Sequence, residues 1–344
     1  MRRTLHKTTV AALIALAMTI PRAAPRAFAA TPAASSEGSW SALLEAAQHQ
    51  FGAGDYSAAI ATLRAVVSQD PLSAEGFYWL GRCYYEVRDV DQAISQAEKA
   101  VALQPKNSVY QQWLGRAYAA KADRDNSFFT ARRVKKQFER AVTLDPMNIS
   151  ARRDLEEFCI GAPWIVGGSN DQAKAQVDAI AKIDPIAGHL ARAAFYEEAL
   201  KRFDLAGNEY EQILAAKPAD PGPYFDAVVF YQHRNKPAEM NAALDAAAQA
   251  NPNDPRLIFY RAEAMIMTGS DLDRAEEYIK SFLASTPDRS DWPSHAGARE
   301  WLGRLYELQG RLGEAAEQYR ASLHLEPGRR SAGARLEKLE KSSR

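Results

Sequence analysis

The sequence is poor in the residues that most often carry chemistry. Its 344 residues include only two cysteines and six histidines. No two histidines stand four residues apart, and the motifs His-Glu-x-x-His, Cys-x-x-Cys, Gly-x-Ser-x-Gly and the P-loop are absent. These absences indicate a protein that is not an enzyme and uses no metal and no cofactor. The alternative stays open, because catalytic groups can converge from distant parts of a chain.

Long hydrophobic runs are absent apart from one near the N-terminus. That run, Thr8–Ile20, is too short to span a bilayer comfortably. It follows three basic residues and precedes Ala27-Phe28-Ala29, which is the order of a cleavable export signal. We therefore predict a signal peptide over residues 1–29, a flexible linker over 30–39, and an exported protein, periplasmic or secreted, without stable membrane insertion. An uncleaved N-terminal anchor is the alternative.

An excess of charge of one sign is also lacking. Basic and acidic residues number 43 each. Five of the basic residues and none of the acidic ones fall in residues 1–29, so the rest of the chain has 38 basic against 43 acidic residues, a net charge of −5. A mildly acidic chain binds nucleic acid poorly, and no nucleic-acid partner is expected. The carboxylates fall on predicted helix faces, where we expect solvated side chains.

A repeated unit is what the sequence has in place of such motifs. The stretch Ala74–Pro105 predicts two short helices, in which a glycine and several alanines allow close backbone approach. Residues at helical spacing mark the two faces: Phe77, Leu80, Gly81 and Tyr84, then Ala93, Ala97 and Ala100. The closing proline returns at intervals of 33 to 41 residues: Pro71, Pro105, Pro146, Pro185, Pro218, Pro252, Pro287 and Pro327. This period predicts stacked helical hairpins that share one core.

The unit resembles the tetratricopeptide repeat, whose Trp-x2-Leu-Gly-x2-Tyr and Ala-x3-Phe patterns stand here as Phe77-x2-Leu80-Gly81-x2-Tyr84 and Ala93-x3-Ala97. The resemblance implies an all-α, right-handed α-solenoid of about eight helix-turn-helix repeats with a C-terminal capping helix. We place repeats 1–3 at 40–146, with an insertion in repeat 3, a divergent repeat 4 at 147–185, repeats 5–8 at 186–327 and the capping helix at 328–344. Cys83 and Cys159 then fall two repeats apart and are predicted to be buried free thiols.

In tetratricopeptide proteins the first helix of each repeat lines a concave groove. The resemblance assigns the following residues to that groove as candidate contacts with a protein or peptide partner: Tyr78, Arg82, Tyr85, Gln112, Arg116, Arg153, Phe225 and Phe259. Packing and solubility are the alternative role for them. Arg82 and Arg116 occupy equivalent places in adjacent repeats, and we expect their guanidinium groups to lie side by side, unpaired and solvated.

These features predict a non-catalytic protein-interaction scaffold of the bacterial cell envelope that binds an extended or helical segment in its groove. The alternative is a ligand-binding or catalytic envelope protein that uses the groove as a cleft.

A possible second site lies where the repeats are irregular. Arg132, Lys136 and Arg140 form a basic stripe at i, i+4 and i+8 in the lengthened repeat 3. The stripe is either a docking site for an acidic partner or anionic head group, or a solvated helix face. Trp164 belongs to the glycine-rich turn 161–168, and the favoured interpretation is that Trp164 and the two following residues fold back between repeats. Over residues 107–200 this combination resembles a group of exported bacterial tetratricopeptide proteins and implies no activity.

Overall fold

The computed structural model describes residues 37–288 and 292–342, and these residues form 17 α-helices and no strand. The predicted signal peptide 1–29 and the predicted linker up to residue 36 lie outside the described residues. The helices are α1 Glu37–Gly52, α2 Tyr56–Gln69, α3 Ala74–Glu86, α4 Val90–Leu103, α5 Ser108–Asp125, α6 Phe128–Leu144, α7 Ile149–Gly161, α8 Asn170–Ile183, α9 Pro185–Ala194, α10 Phe203–Ala216, α11 Gly222–His233, α12 Pro237–Ala250, α13 Arg256–Thr268, α14 Leu272–Ser285, α15 His295–Leu308, α16 Leu312–Leu325 and α17 Arg330–Ser342.

The helices form eight consecutive pairs, followed by α17, which packs on α16. Each odd-numbered helix from α1 to α15 is the first helix of a pair, and the even-numbered helix after it is the second. A 3-10 turn, Trp164–Val166, lies between α7 and α8, and a π-helical turn, Phe195–Ala199, extends α9. The all-α solenoid of about eight repeats is therefore confirmed.

Local sequence sets where many of these helices begin. Side chains such as those of Asp55, Asp89 and Asn148 accept a hydrogen bond from a backbone N–H of the first turn of the helix that follows. In several pairs, the turn between the two helices contains a residue with left-handed backbone angles, a conformation that glycine adopts without steric cost. Gly310 has φ 74° there, whereas Arg88 adopts φ 61° at the equivalent position.

Close packing within a pair depends on the small residues that the sequence pattern marks. A Cβ atom placed on Gly81 would lie 3.3 Å from the backbone oxygen of Ala93 and 3.3 Å from the backbone nitrogen of Ala97. This confirms that the glycine and alanines let α3 and α4 approach closely. Leu80 is buried in the core between them, 3% exposed.

The core runs from one pair to the next without a break. Its apolar clusters share members at their borders: Tyr196 packs against the cluster before it and the cluster after it, and Tyr260 and Met267 do the same further along the chain. Cys83 and Cys159 are both buried free thiols, as predicted. None of the described helices is long and apolar enough to cross a membrane.

The first helices lie on the inner side of the stack. Beyond its own partner, a first helix also contacts the first helix of the next pair, as α1 does α3, α3 does α5 and α13 does α15. In a curved stack the elements on the inside lie closest together, so these contacts place the first helices on the concave side. The groove they line is the candidate functional site.

Candidate binding groove

Arg82 is the centre of the N-terminal half of the groove. Its Cζ atom lies 4.5 Å from the ring centroids of Phe51, Trp79 and Trp113, so three aromatic side chains surround one guanidinium group. Its Nη1 donates a long hydrogen bond of 3.5 Å to the hydroxyl of Tyr78, and its Nε is buried without a hydrogen-bond partner. The expectation of a solvated guanidinium is therefore wrong, because the aromatic residues of three neighbouring first helices enclose it.

The aromatic side chains around Arg82 pack on one another. Tyr78 stacks on Tyr110 with ring centroids 5.0 Å apart, and the edge of Trp113 meets Tyr85 at 5.8 Å. Burial raises the pKa of both Tyr78 and Tyr85, so their hydroxyls stay protonated at neutral pH. The two predicted groove tyrosines are half-buried members of a fixed aromatic surface.

Arg116 is an ion-paired residue and not the free cation that was predicted. Its Nε donates to Oδ2 of Asp154 at 2.7 Å and its Nη2 donates to Oδ1 at 3.0 Å. Gln112, buried beside it, donates to the same Oδ2 at 2.7 Å. The guanidinium groups of Arg82 and Arg116 do contact the same ring, that of Trp113, whose centroid lies 4.8 Å from Cζ of Arg116. Only Arg116, however, has an acidic partner there, supplied by α7 of the next repeat.

The predicted groove residues of the C-terminal half have different surroundings. Phe225 and Phe259 are buried: Phe225 stacks on Tyr260 at 5.7 Å, and Phe259 packs on Phe282 at 5.0 Å. These rings belong to the core and offer little surface to a partner. Arg153 is half-buried and lines a cavity of about 390 Å³ between α7, α9 and α11.

Two cavities open along this half of the groove. The first, of about 390 Å³, is lined by acidic and basic side chains that include Arg153, Glu198 and Lys201, next to the π-helical turn. The second, of about 490 Å³, lies between α11, α13, α15 and α17 and is lined in part by Trp301 and Arg304. His233 contributes to both. The first helices thus leave room for side chains of a bound segment.

Three buried glutamates overturn the expectation that all carboxylates are solvated. Glu156, Glu263 and Glu300 are buried on α7, α13 and α15. Burial raises the pKa of Glu156 to about 8 and raises that of Glu263 well above its ordinary value. Burial also opposes ionisation of Glu300, but its hydrogen bonds to Ser331 and two arginines hold its pKa below the ordinary value. Glu263 stands between two alanines and Glu300 precedes a core tryptophan, a sequence context that marks them as core positions.

The possible second site lies on the outer side of repeats 3 and 4. Arg132, Lys136 and Arg140 are exposed along α6, as a surface stripe requires. In the glycine-rich turn, Val166 is buried, but Trp164 and Ile165 are exposed. The prediction that all three apolar residues fold back between repeats is therefore right for Val166 and wrong for the other two.

The described residues contain no group of three or more His, Cys, Asp or Glu side chains that could hold a metal ion. Burial raises the pKa of the Cys83 thiol to about 12, so the thiol is protonated at neutral pH.

Comparison with known proteins bears on the fold. A family model described as tetratricopeptide repeat matches residues 44–108 and 267–332. No match was found among curated proteins. A chain of the APC/C hetero-tetramer Cut9-Hcn1 superposes with a TM-score of 0.50 at 15% identity, over 89% of this chain and 56% of that one. A tetratricopeptide repeat protein from Parabacteroides merdae gives 0.46 at 14% identity over 88% and 99%, and TTC0263 from Thermus thermophilus gives 0.44 at 19% over 51% and 90%.

Proposed function

We propose that this tetratricopeptide repeat protein is a non-catalytic scaffold of the bacterial cell envelope that binds an acidic or C-terminal segment of a protein partner in its groove, with Arg82 as the anchor. The observation that carries the proposal is that few of the N–H groups of Arg82 have a hydrogen-bond acceptor. Among the described residues, its guanidinium is surrounded by aromatic rings and donates one long hydrogen bond, to Tyr78.

A carboxylate would complete the surroundings of Arg82. Aromatic faces stabilise the positive charge but accept few of its five N–H donors, and a carboxylate can accept two of them side by side. Arg116, the next cation along the groove, is already neutralised by Asp154. Arg82 therefore offers the stronger attraction for an acidic group, beside half-buried tyrosines of the type that dominates binding hot spots.

The rest of the groove fits a longer segment. The cavities of about 390 and 490 Å³ follow the first helices toward the C-terminus and present side chains of both charges. A segment anchored at Arg82 can place its own side chains into them, as peptides do in helical grooves. The envelope location in this proposal depends on the export-signal pattern of residues 1–29.

The test is a pull-down from envelope extract with the immobilised chain, followed by affinity measurements on the partner. Arg82→Met keeps the length and apolar stem of the side chain and removes the charge, so we expect affinity to fall about tenfold or more, the effect of losing a hot spot. Arg82→Lys keeps the charge and loses the planar donor pair. Arg330→Met, at an exposed site on α17, is the matched control. If Arg82→Met bound the partner with unchanged affinity, Arg82 would not be the anchor.

A second candidate function is suggested by the cavity of about 490 Å³, whose volume lies in the range of small-ligand sites. In this case a small ligand would raise the melting temperature in a thermal-shift screen. Arg304→Met would abolish that rise and Arg82→Met would leave it unchanged. For a partner bound through Arg82, Arg82→Met should weaken binding and Arg304→Met should leave it unchanged.

A further inference from the structure

A patch of large apolar side chains is exposed on the outer side of repeats 3 and 4. Phe129 and Trp164 are each 84% exposed, Phe128 is 64% exposed and Ile165 is 54% exposed. Arg132 connects the two halves of the patch, because its Nη2 donates to the backbone oxygen of Ile165 at 3.3 Å. Phe128 lies one helical turn before Arg132 on the same face of α6. We call these four apolar residues and the basic stripe beside them the aromatic–basic patch.

The turn that presents Trp164 is fixed in place. Lys135 Nζ donates to the backbone oxygen of Gly167 at 2.7 Å, and Val166 is buried beneath the turn. Gly167 has φ 109°, and a Cβ atom on Gly168 would collide with the backbone oxygen of Ala162, so both positions require glycine. The exposure of Trp164 thus follows from a held conformation. A fixed apolar surface that faces solvent marks an interaction site.

The charge around the patch is strongly positive, although the chain from residue 30 onward is net negative. Helix α6 carries five basic residues and one acidic residue: Arg132, Arg133, Lys135, Lys136, Arg140 and Glu139. Arg132, Lys136 and Arg140 are exposed along one line of the helix. The surface that complements the patch is therefore both negatively charged and able to receive aromatic side chains.

We propose that the aromatic–basic patch docks the protein on an anionic lipid bilayer. Phe129 and Trp164 insert into the head-group region, which aromatic side chains favour. The lipid phosphates are bound by three basic side chains, those of Arg132, Lys136 and Arg140. A lipid surface fits the patch because membrane-interface anchors combine Trp and Phe with Lys and Arg, and anionic head groups complement a continuous line of exposed cations. The patch lies on α6, which is a second helix, and on the turn between α7 and α8, so none of its residues belongs to a first helix and the groove stays open to its partner. This inference does not depend on Arg82.

The experiment is vesicle flotation of the full chain with two lipid compositions. Mixed vesicles of phosphatidylglycerol and phosphatidylcholine supply an anionic surface, and phosphatidylcholine vesicles supply a neutral one. We expect binding to the anionic vesicles, much weaker binding to the neutral ones, and loss of binding as salt is added. Phe129→Ser with Trp164→Ser, and separately Lys136→Glu with Arg140→Glu, should each weaken binding about tenfold or more. All four side chains are exposed, so folding should be preserved, which circular dichroism checks.

Matched controls separate the patch from general surface effects. Leu72→Ser with Met147→Ser replaces two apolar residues exposed at other turns, and Lys182→Glu with Arg330→Glu reverses two exposed cations elsewhere. These variants should bind like the unaltered chain. Residues 1–29 are common to every variant, so vesicle binding that stays undiminished in both patch variants comes from elsewhere and overturns the proposal. Absence of vesicle binding, equal binding to neutral vesicles, or a protein captured through the patch without vesicle binding would overturn it as well.

Discussion

Arg116 and Asp154 join two consecutive repeats by a two-point ion pair, Nε to Oδ2 at 2.7 Å and Nη2 to Oδ1 at 3.0 Å. The Asp154 side chain is mostly buried, and Gln112 donates to it from the same helix as Arg116. Charge-assisted pairs of this geometry are strong because both N–H groups align with both oxygens. The pair fixes α5 against α7 across the lengthened repeat 3. It also neutralises Arg116, whereas Arg82 on the same aromatic ring has no acidic partner among the described residues.

The first prediction concerns this pair. Asp154→Asn removes the negative charge and leaves a buried amide beside an arginine, so we expect a loss of roughly 1–3 kcal/mol in the free energy of unfolding. A double-mutant cycle with Arg116→Met, measured by chemical denaturation, should give a coupling energy of about 1 kcal/mol or more. A coupling energy near zero would show that the two side chains do not interact in solution.

The repeat register could be predicted from the sequence because it depends on local spacing. Leu80 and Gly81 stand at fixed places in a recurring pattern, and their burial and close backbone contacts follow from that pattern. The pairing of Arg116 could not be predicted in the same way. Asp154 lies 38 residues further along the chain, beyond the insertion in repeat 3. Only the packing of α7 on α5 decides which side chain faces Arg116.

The aromatic surroundings of Arg82 and the exposure of Trp164 also required the structure. Phe51 comes from another repeat than Arg82 and is not among the groove residues that the family resemblance assigns. The three consecutive apolar residues of the glycine-rich turn predicted a buried segment, since apolar side chains are usually buried in the core. Its glycines and the hydrogen bond from Lys135 to Gly167 hold the backbone so that only Val166 points inward.

A core substitution tests the register directly. Leu80→Ala should destabilise the protein by roughly 2–5 kcal/mol, because it removes a buried side chain and leaves a cavity between α3 and α4. Leu72→Ala is the matched control, since the Leu72 side chain is 75% exposed and its loss should change stability by no more than about 0.5 kcal/mol. Chemical denaturation of both variants gives the comparison. Equal effects would mean that Leu80 is not in the core.

The inter-helix turns offer a reciprocal pair of substitutions. Arg88 adopts φ 61° where Gly310 adopts φ 74° in the equivalent turn. The left-handed conformation costs a residue with a Cβ about 1–2 kcal/mol. Glycine avoids this cost, but it makes the unfolded chain more flexible, which offsets part of the gain in stability. Arg88→Gly should therefore raise the free energy of unfolding by up to about 1 kcal/mol, and Gly310→Arg should lower it by a similar amount. Changes of the same sign in both variants would contradict this account.

The last prediction concerns Glu156, a buried acid whose Oε1 has no hydrogen-bond partner. Burial raises its pKa in the folded protein from 4.5 to about 8, because the ionised form is poorly solvated there, although Arg153 opposes the rise. Between these two pH values the unfolded chain releases the proton and the folded chain keeps it. Stability contributed by the protonated group is thus complete below pH 4.5 and is lost as the pH rises to about 8.

Glu156→Gln removes this proton equilibrium and keeps the shape of the side chain. The free energy of unfolding of the variant minus that of the unaltered protein should increase with pH across this window, by roughly 2–5 kcal/mol in total. Denaturation curves at a series of pH values measure the difference, and Glu45→Gln on α1 shows the effect of replacing an exposed glutamate. A difference that stays constant from pH 4.5 to about 8 would mean that Glu156 is already ionised in the folded protein, and Arg153 would then be the group that stabilises its charge.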